Sequence, residues 1–224
     1  NYLRESPTEV QALFQDLTVT VTGFFRDPKA FETLEKVLRE RVIRGKEDGD
    51  ELRAWVVGCS SGEEAYSVAM LMTESVEDAG KHLNLKLFAT DINAQALNTA
   101  RNATYPDTIA PAVGEDRLER FFAKKDSSYR VADRIRETTV FALHDLTRDP
   151  PFSQLDLISC RNLLIYLNQS LQHKVLPLLH YGLNPGGLLF LGSAEGVGDF
   201  TDLFTPVDSR QRVFTAVDSG RERH

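Results

Sequence analysis

Apolar positions recur along the chain in two rhythms, and the rhythm changes at short polar or Gly/Pro breaks. "SPTEVQALFQDL" spaces Val10, Leu13, Phe14 and Leu17 on one face, which predicts a helix capped by Ser6 or Thr8. "TVTVTGFFRDP" is β-branched, broken by Gly23 and stopped by Pro28, and reads as an irregular connector. "PKAFETLEKVLRERVI" is amphipathic, with Pro28 at a helix start. Then come a buried strand "RAWVVG", a helix "GEEAYSVAMLMTESVEDAG" ended by Gly80, a strand "LKLFAT" followed by Asp91, and a helix "NAQALNTARN" capped from Asn93. Between Thr104 and Thr139 the pattern loosens: "GEDRLERFFAK" reads as a short helix and "YRVADRIRE" as a small hairpin or turn. Regular strands return in "TVFALHDL" and "LDLISCRN". "SLQHKVLPLLHYGL" is a helix that Pro177 kinks or divides, "NPGGLLFLGSAE" a turn and buried strand, and "FTPVD" with "QRVFTAVD" a closing antiparallel pair.

Strands alternating with helices predict an α/β fold, a mostly parallel, doubly wound sheet covered on both faces. Ligands of such sheets bind at the carboxyl ends of the strands. The length suits one domain. A net charge of −7 argues against a general affinity for nucleic acid or an anionic membrane. Cys59 and Cys160 are far apart, each at the end of an apolar run, which is no disulfide framework and suits a reducing cytoplasm. No apolar stretch is long enough to span a bilayer. The chain begins mid-pattern, so a piece of a longer protein is expected.

The informative loop is "WVVGCSSGEEAYS". Strand, Gly turn and helix commonly cradle a phosphate. Here the spacing is Gly58-x-x-x-Gly62, no Lys is present, and Glu63 and Glu64 would repel a pyrophosphate. Helix-dipole compensation accounts for one of these acids. Asp91, at the end of the second strand, is placed to accept hydrogen bonds from ribose hydroxyls; its plainer role is a cap for the next helix. A nucleoside without phosphates and with a positive charge, S-adenosylmethionine, satisfies the set. "NPGGLLFLG" and the closing strand pair are similar to the seven-stranded sheet of class I methyltransferases, with its antiparallel C-terminal pair.

"VTGFFRDPKAF", "GCSSGEEAYSVAM", "FATDIN" and "LISCRNLLIYL", in this order, resemble the CheR-type chemotaxis methyltransferases, in the version often fused to methylesterase and sensor domains. The resemblance implies transfer of a methyl group from S-adenosylmethionine to glutamate carboxylates of a chemoreceptor or related signalling protein, with S-adenosylhomocysteine as product. It implies that Thr20, Thr22 and Arg26 lie beside the cofactor, Arg26 near the methyl group. Gly58 belongs to the cofactor loop, Glu64 reaches the methionine end and Asp91 the ribose. Asp145-Leu146 and Asn162-Leu163 flank the adenosyl part. Tyr166 lies near the transfer site. The family often has Asn where this chain has Thr20 and Asp145, and Pro where it has Ala65. Its basic helical N-terminal domain is absent or reduced to the first helix, which gives residues 1–27 as helix and connector. Residues 28–224 then form the methyltransferase domain, with a small inserted subdomain at about 104–139.

A glutamate carboxylate is already ionised at neutral pH, so methyl transfer to it needs no general base. No metal is implied: the five histidines show no metal spacing. Arg26 is the candidate that orients the incoming carboxylate through its planar fork, against a surface ion pair with Asp27 or Asp16. Tyr166 could donate to the same carboxylate, against a buried Tyr with a satisfied hydroxyl. Arg117, Arg120, Lys124, Lys125, Arg130, Arg134 and Arg136 are interleaved with acids; they form a solvated face or meet the acidic helical region of a receptor. Two other readings stand beside this one: a non-catalytic S-adenosylmethionine sensor module, and a nucleic-acid methyltransferase suggested by "DPPF". That tetrapeptide precedes its strand rather than following it, and is more simply a turn.

Overall fold

A computed structural model of the chain describes residues 22–218. The helix expected at 6–17 and Thr20 lie outside the described residues. The first helix, α1, spans Pro28–Val37 and continues through a wide turn, Leu38–Val42, and a tight one, Ile43–Gly45. Then follow β1 (Glu51–Val57), α2 (Glu63–Asp78), β2 (Asn84–Asp91) and α3 (Ala94–Asn102). The looser segment contains β3 (Thr104–Pro106), α4 (Ala110–Val113), α5 (Glu115–Phe121), β4 (Phe122–Lys125), β5 (Ser128–Val131) and α6 (Asp133–Arg136). The rest is β6 (Thr139–Leu143), β7 (Leu155–Cys160), α7 (Gln169–Gly182), β8 (Leu183–Leu191), β9 (Phe204–Asp208) and β10 (Val213–Ala216).

The main sheet has seven strands in the order β6-β2-β1-β7-β8-β10-β9. Strands β6, β2, β1, β7 and β8 run parallel, while β10 is antiparallel to both β8 and β9. This is the fold class that the sequence pattern implied. The strand order reverses between β1 and β7, so the switch point lies where the Gly loop leaves β1. Successive side chains of a strand face opposite sides of the sheet. On β1, Ala54 and Val56 enter a core with α1 and α2, whereas Trp55 and Val57 enter a second core with α7. On β8, Leu188 and Phe190 join the first core, Leu189 and Leu191 the second. Pro177 lies inside a continuous α7.

The segment between α3 and β6, the position of the small β-subdomain that the family resemblance implies, differs from the local pattern reading in its element bounds. It carries its own antiparallel sheet, ordered β3-β5-β4. The short helix expected over 114–124 stops at Phe121, and Phe122 turns extended at φ −132°, ψ 150°. Adjacent residues on a helix point about 100° apart, so one continuous helix could not bury both phenyl rings against the same core. The break lets Phe121 and Phe122 join Tyr105, Val131 and Ile135 in the core that contains α2. The hairpin is β4–β5, and the tail of the expected one is the helical turn α6.

This shared core generates a prediction. Phe121 is fully buried, and Phe121→Ala should destabilise the protein by about 3–5 kcal/mol. Trp55, the chain's one Trp, sits in the main sheet and reports on it by fluorescence. If 28–224 is one domain with 104–139 as an insertion, urea unfolding of Phe121→Ala should shift as a single transition seen at Trp55. An unshifted Trp55 transition would mean that the inserted segment unfolds separately.

Candidate active site

The loop after β1 is held by its neighbour strand. The Gly58 and Cys59 amides donate to the Thr90 carbonyl at 2.8 and 2.9 Å. The Ser60 amide donates to Asp91 Oδ2 at 2.8 Å, and the Asn93 amide to Asp91 Oδ1 at 2.8 Å. Asp91 therefore clamps the Gly loop to the start of α3, while each oxygen keeps capacity for one more donor. The helix cap itself is Asn93, whose Oδ1 accepts from the Gln95 and Ala96 amides. Gly62 adopts φ 97°, and a Cβ there would lie 2.8 Å from Ala100 Cβ and 2.9 Å from the Tyr105 hydroxyl. Only glycine fits this turn. At Gly58 a Cβ would stand 3.5 Å from the Leu163 methyl groups, so these two predicted residues meet across the switch point.

The connector is anchored on α2. Phe24 and Phe25 are each 3% exposed. Phe24 packs edge-on against Tyr105 and Phe122, and Phe25 against Phe31. The Phe25 amide donates to Ser67 Oγ at 2.9 Å, and that hydroxyl donates to the Glu63 carbonyl at 2.7 Å. Phe25 and Asp27 both sit at left-handed φ, 47° and 63°. Between these two buried or paired neighbours, Arg26 is carried to the surface, still close enough for its charge to act on Glu64. Thr22, at the start of the connector, is half-buried.

Beneath the connector lies a buried ion cluster that the sequence reading missed. The Arg161 side chain is 1% exposed, with Nη2 2.6 Å from Asp27 Oδ2 and Nη1 3.4 Å from Glu64 Oε2. Its guanidinium stacks over Phe190 and Phe31. Glu64 Oε1 accepts from the Ser159 hydroxyl at 2.7 Å. Burial pushes the Glu64 carboxyl above the ordinary carboxylate range; Arg161, Ser159 and Arg26 pull the other way, and the nearby Glu195 charge adds to the rise. Glu195 is itself buried and accepts from the Asn162, Gly192 and Ile165 amides. Those bonds hold Asn162 at its left-handed φ of 55°. One buried guanidinium thus pairs with both Asp27 and Glu64, and the charge of Glu195 also reaches Glu64, so acids outnumber the one buried cation. Arg161 stood in the "CRN" block as an ionisable residue ending an apolar strand, which was a usable signal. Glu195 carried none.

The remaining predicted residues are placed as follows. The His144 amide donates to the Asp91 carbonyl at 3.1 Å and brings the 144–146 stretch beside the Gly loop. Asp145 Oδ1 accepts from the Thr147 hydroxyl and amide, and the hydroxyl bond leads in holding its carboxyl below the usual range. That carboxylate is therefore engaged in its own turn. Leu146 is buried in the second core. Tyr166 sits on a single turn, Leu164–Tyr166, and is 60% exposed, which removes the buried-Tyr reading. Ile92, Leu143 and Ile165, exposed apolar residues near the same strand ends, were not singled out in sequence. Cys59 and Cys160 are buried thiols raised chiefly by burial, as expected of packing residues. Of the basic cluster, Arg117, Arg120 and Arg134 pair with Glu74 and Glu77 on α2 instead of facing solvent freely. Phe152 of "DPPF" stacks on Phe88 and meets Trp55, a packing role. Among the described residues no helix is long and apolar enough to cross a membrane.

Comparison with known proteins shows the family. The family model described as CheR methyltransferase, SAM binding domain, matches residues 20–213. An uncharacterized 104.1 kDa protein of Rhodobacter capsulatus is 38% identical over 97% of this chain, which spans only 23% of that relative's length. Chemotaxis protein methyltransferase 1 of Pseudomonas aeruginosa is 34% identical, over 85% of this chain and 71% of its own. Chemotaxis protein methyltransferase 2 of Vibrio cholerae is 31% identical, over 91% and 72%.

The ion cluster makes a testable claim about pH. Because folding raises Glu64, the folded state holds this proton more tightly than the unfolded state. The group's contribution to stability is complete below the unfolded value, about 4.3, and is lost as pH rises toward the folded value. The stability difference between wild type and Glu64→Gln, measured by urea unfolding of the free protein, should therefore fall with rising pH and then level off. A difference that grows with pH would show that Arg161 outweighs burial. Arg161→Ala should cost about 3–5 kcal/mol at neutral pH, because it strands the buried Glu64 carboxyl.

Proposed function

The chain belongs to the CheR methyltransferase family, and from that premise we propose that it methylates glutamate side-chain carboxylates of a chemoreceptor or a related signalling protein. The family's domain binds S-adenosylmethionine, and the residues present suit that ligand. The observation that carries the reading is Glu64: a buried carboxyl, raised by burial and only partly neutralised by Arg161, at the start of a helix whose loop lacks phosphate-binding chemistry. Such a group favours a cation opposite it. The methionine ammonium is that cation in this proposal. Asp91 keeps acceptor capacity for ribose hydroxyls. Leu146, Asn162 and Leu163 flank the adenosyl part, while the Asp145 carboxylate mainly holds its turn. Thr22, and Thr20 beyond the described residues, lie on the connector side.

When bound, S-adenosylmethionine supplies a methyl group on a sulfonium, which a glutamate carboxylate takes in an in-line displacement that forms the ester C–O bond, breaks the C–S bond and leaves a neutral thioether. The chain need not supply a base, since the carboxylate arrives ionised. It supplies position, a contribution worth roughly 7–11 kcal/mol when reacting groups are held well. Arg26 is suited to this: the anchored backbone on either side fixes where its guanidinium begins, and the planar fork matches a carboxylate at two points. Tyr166, exposed on its turn, is available to donate a hydrogen bond to the same group.

The test is methyl transfer from methyl-labelled S-adenosylmethionine to an acidic receptor peptide, read as alkali-labile label, beside a calorimetric cofactor titration. Alkali-stable label would place the methyl elsewhere than on a carboxylate. Cofactor binding with no transfer to any glutamate peptide or receptor fragment would favour a sensor module. Arg26→Lys keeps the charge and loses the fork; turnover should fall about 10²-fold, roughly 2.7 kcal/mol of transition-state stabilisation, with cofactor affinity little changed. Near-full turnover, or a matching loss of cofactor affinity, would remove Arg26 from carboxylate positioning. Glu64→Gln should weaken cofactor binding by at least about tenfold, the scale of a lost charged hydrogen bond.

A further inference from the structure

We propose that Ser67 is a positioning residue for methyl transfer: its buried hydroxyl sets where Arg26 stands relative to Glu64. The inference rests on the methyl-transfer reading and deepens it by naming what holds the candidate carboxylate-orienting side chain in place. Ser67 lies on α2 one turn after Glu63 and is fully buried. Its neighbours on that helix, Ala65, Tyr66, Val68 and Ala69, are buried too. The helix gains nothing from a hydroxyl there: serine is a weaker helix former than alanine, and a buried polar group costs free energy unless it is bonded. This one is bonded twice. It donates back to the Glu63 carbonyl at 2.7 Å, the i−4 bond open to a helical serine, and accepts from the Phe25 amide at 2.9 Å. The first bond uses the hydroxyl proton, which leaves the oxygen to accept the second. The second joins the connector to the turn of α2 that carries Glu64.

That second bond fixes a backbone angle. The φ of Phe25 is the rotation between its amide plane and the Cα that bears its ring. The ring is held by Phe31, edge-on at 5.4 Å, and by the Arg117 guanidinium 4.0 Å from its centre. The amide plane is held by Ser67. With both sides of the bond fixed, φ stays at 47°, a left-handed value that a bulky residue adopts only under constraint. On the other side of Arg26, Asp27 sits at φ 63° and pairs with Arg161 at 2.6 Å. Arg26 therefore leaves a backbone anchored to α2 on one side and to the ion cluster on the other. Of the two anchors, the Ser67 bond is separable. Removing Asp27 or Arg161 would alter the charges around Glu64, whereas Ser67→Ala leaves those pairs in place and keeps α2 helical. The Glu64 side chain takes its own bonds from Ser159 and Arg161, so loss of the Ser67 hydroxyl bears on the connector and not on the cofactor-side acid.

The experiment has two arms, both on the whole chain. In the first, a nitroxide label is attached to Arg26→Cys, the thiols of Cys59 and Cys160 being buried out of its reach. Its electron paramagnetic resonance spectrum should show restricted motion, and adding Ser67→Ala should sharpen the lines. In the second, methylation of the acidic receptor peptide is measured for Ser67→Ala, for Arg26→Lys and for the two together. Ser67→Ala should lower kcat at least about tenfold, since a misplacement of about 1 Å can cost about 10²-fold. KM for the peptide and affinity for S-adenosylhomocysteine should stay close to wild type. Because the hydroxyl acts through Arg26, the double variant should be no slower than Arg26→Lys alone. Superimposable spectra with and without Ser67→Ala overturn the proposal. Full turnover in Ser67→Ala also overturns it and leaves the reaction standing. Rate losses that multiply in the double variant overturn it too, because Ser67 then acts independently of Arg26. A wild-type chain that forms no ester, while the label at position 26 is held through Ser67, sinks the methyl-transfer reading and leaves the anchoring of Arg26 standing.

Discussion

One buried guanidinium organises the carboxyl edge of the sheet. Arg161 is taken out of water between the rings of Phe31 and Phe190, and such a charge is tolerated only when paired. Its partners are the residue that ends the connector, Asp27, and a residue in the first turn of α2, Glu64. The pairing thus fixes two chain segments against β7 at once. It also helps explain the backbone of the connector. Left-handed φ at non-glycine residues costs of order 1–3 kcal/mol each. Phe25 and Asp27 are both so placed, and the offset comes from two buried phenyl rings, each worth about 1.5–3 kcal/mol, and from the Asp27–Arg161 pair.

The elements were legible because each has a strong local period. Strands β1, β7 and β8 are near-continuous apolar runs bounded by polar turns, and α1 and α3 bury one face of an amphipathic pattern. The cofactor-side residues at strand ends were legible because a parallel sheet dictates where to look. The ion cluster was not, because its members lie far apart in sequence: Arg161 meets Asp27 across 134 positions and Glu64 across 97. Glu195 looked like one acid in a polar turn, and only the fold shows three amides converging on it. Asp91 was read as a ribose ligand or a cap. Its carboxylate in fact secures the loop itself, a role that local pattern does not encode. The inserted segment was opaque for another reason: its strands are short and bury their side chains against α2, so neither period is long enough to register.

That same packing ties the inserted segment to the site. Arg117 on α5 makes a bidentate pair with the nearly buried Glu74 of α2 and lies 4.0 Å over the Phe25 ring. Tyr105 of β3 donates to the Ser61 carbonyl and packs on Phe24. The inserted segment therefore touches both the Gly loop and the two residues before Arg26.

The distribution of charge across the cleft bears on why these two halves belong to one reaction. On the β1–β2 side stand Glu63, Glu64 and Asp91, and nothing there compensates a phosphate. On the β8 side Arg161, Lys29 and Arg210 stand together with the acids Asp27 and Glu32. In the proposed methyl transfer the reacting sulfonium and carboxylate are both lost, giving a neutral thioether and a neutral ester. In a partly dry site, where Coulomb terms are stronger than in water, the attraction that assembled the reactants is cancelled by the chemistry itself. The cofactor product of the proposed reaction keeps only its ammonium for Glu64. In the proposed reaction, the loss of both charges weakens the electrostatic hold on the products.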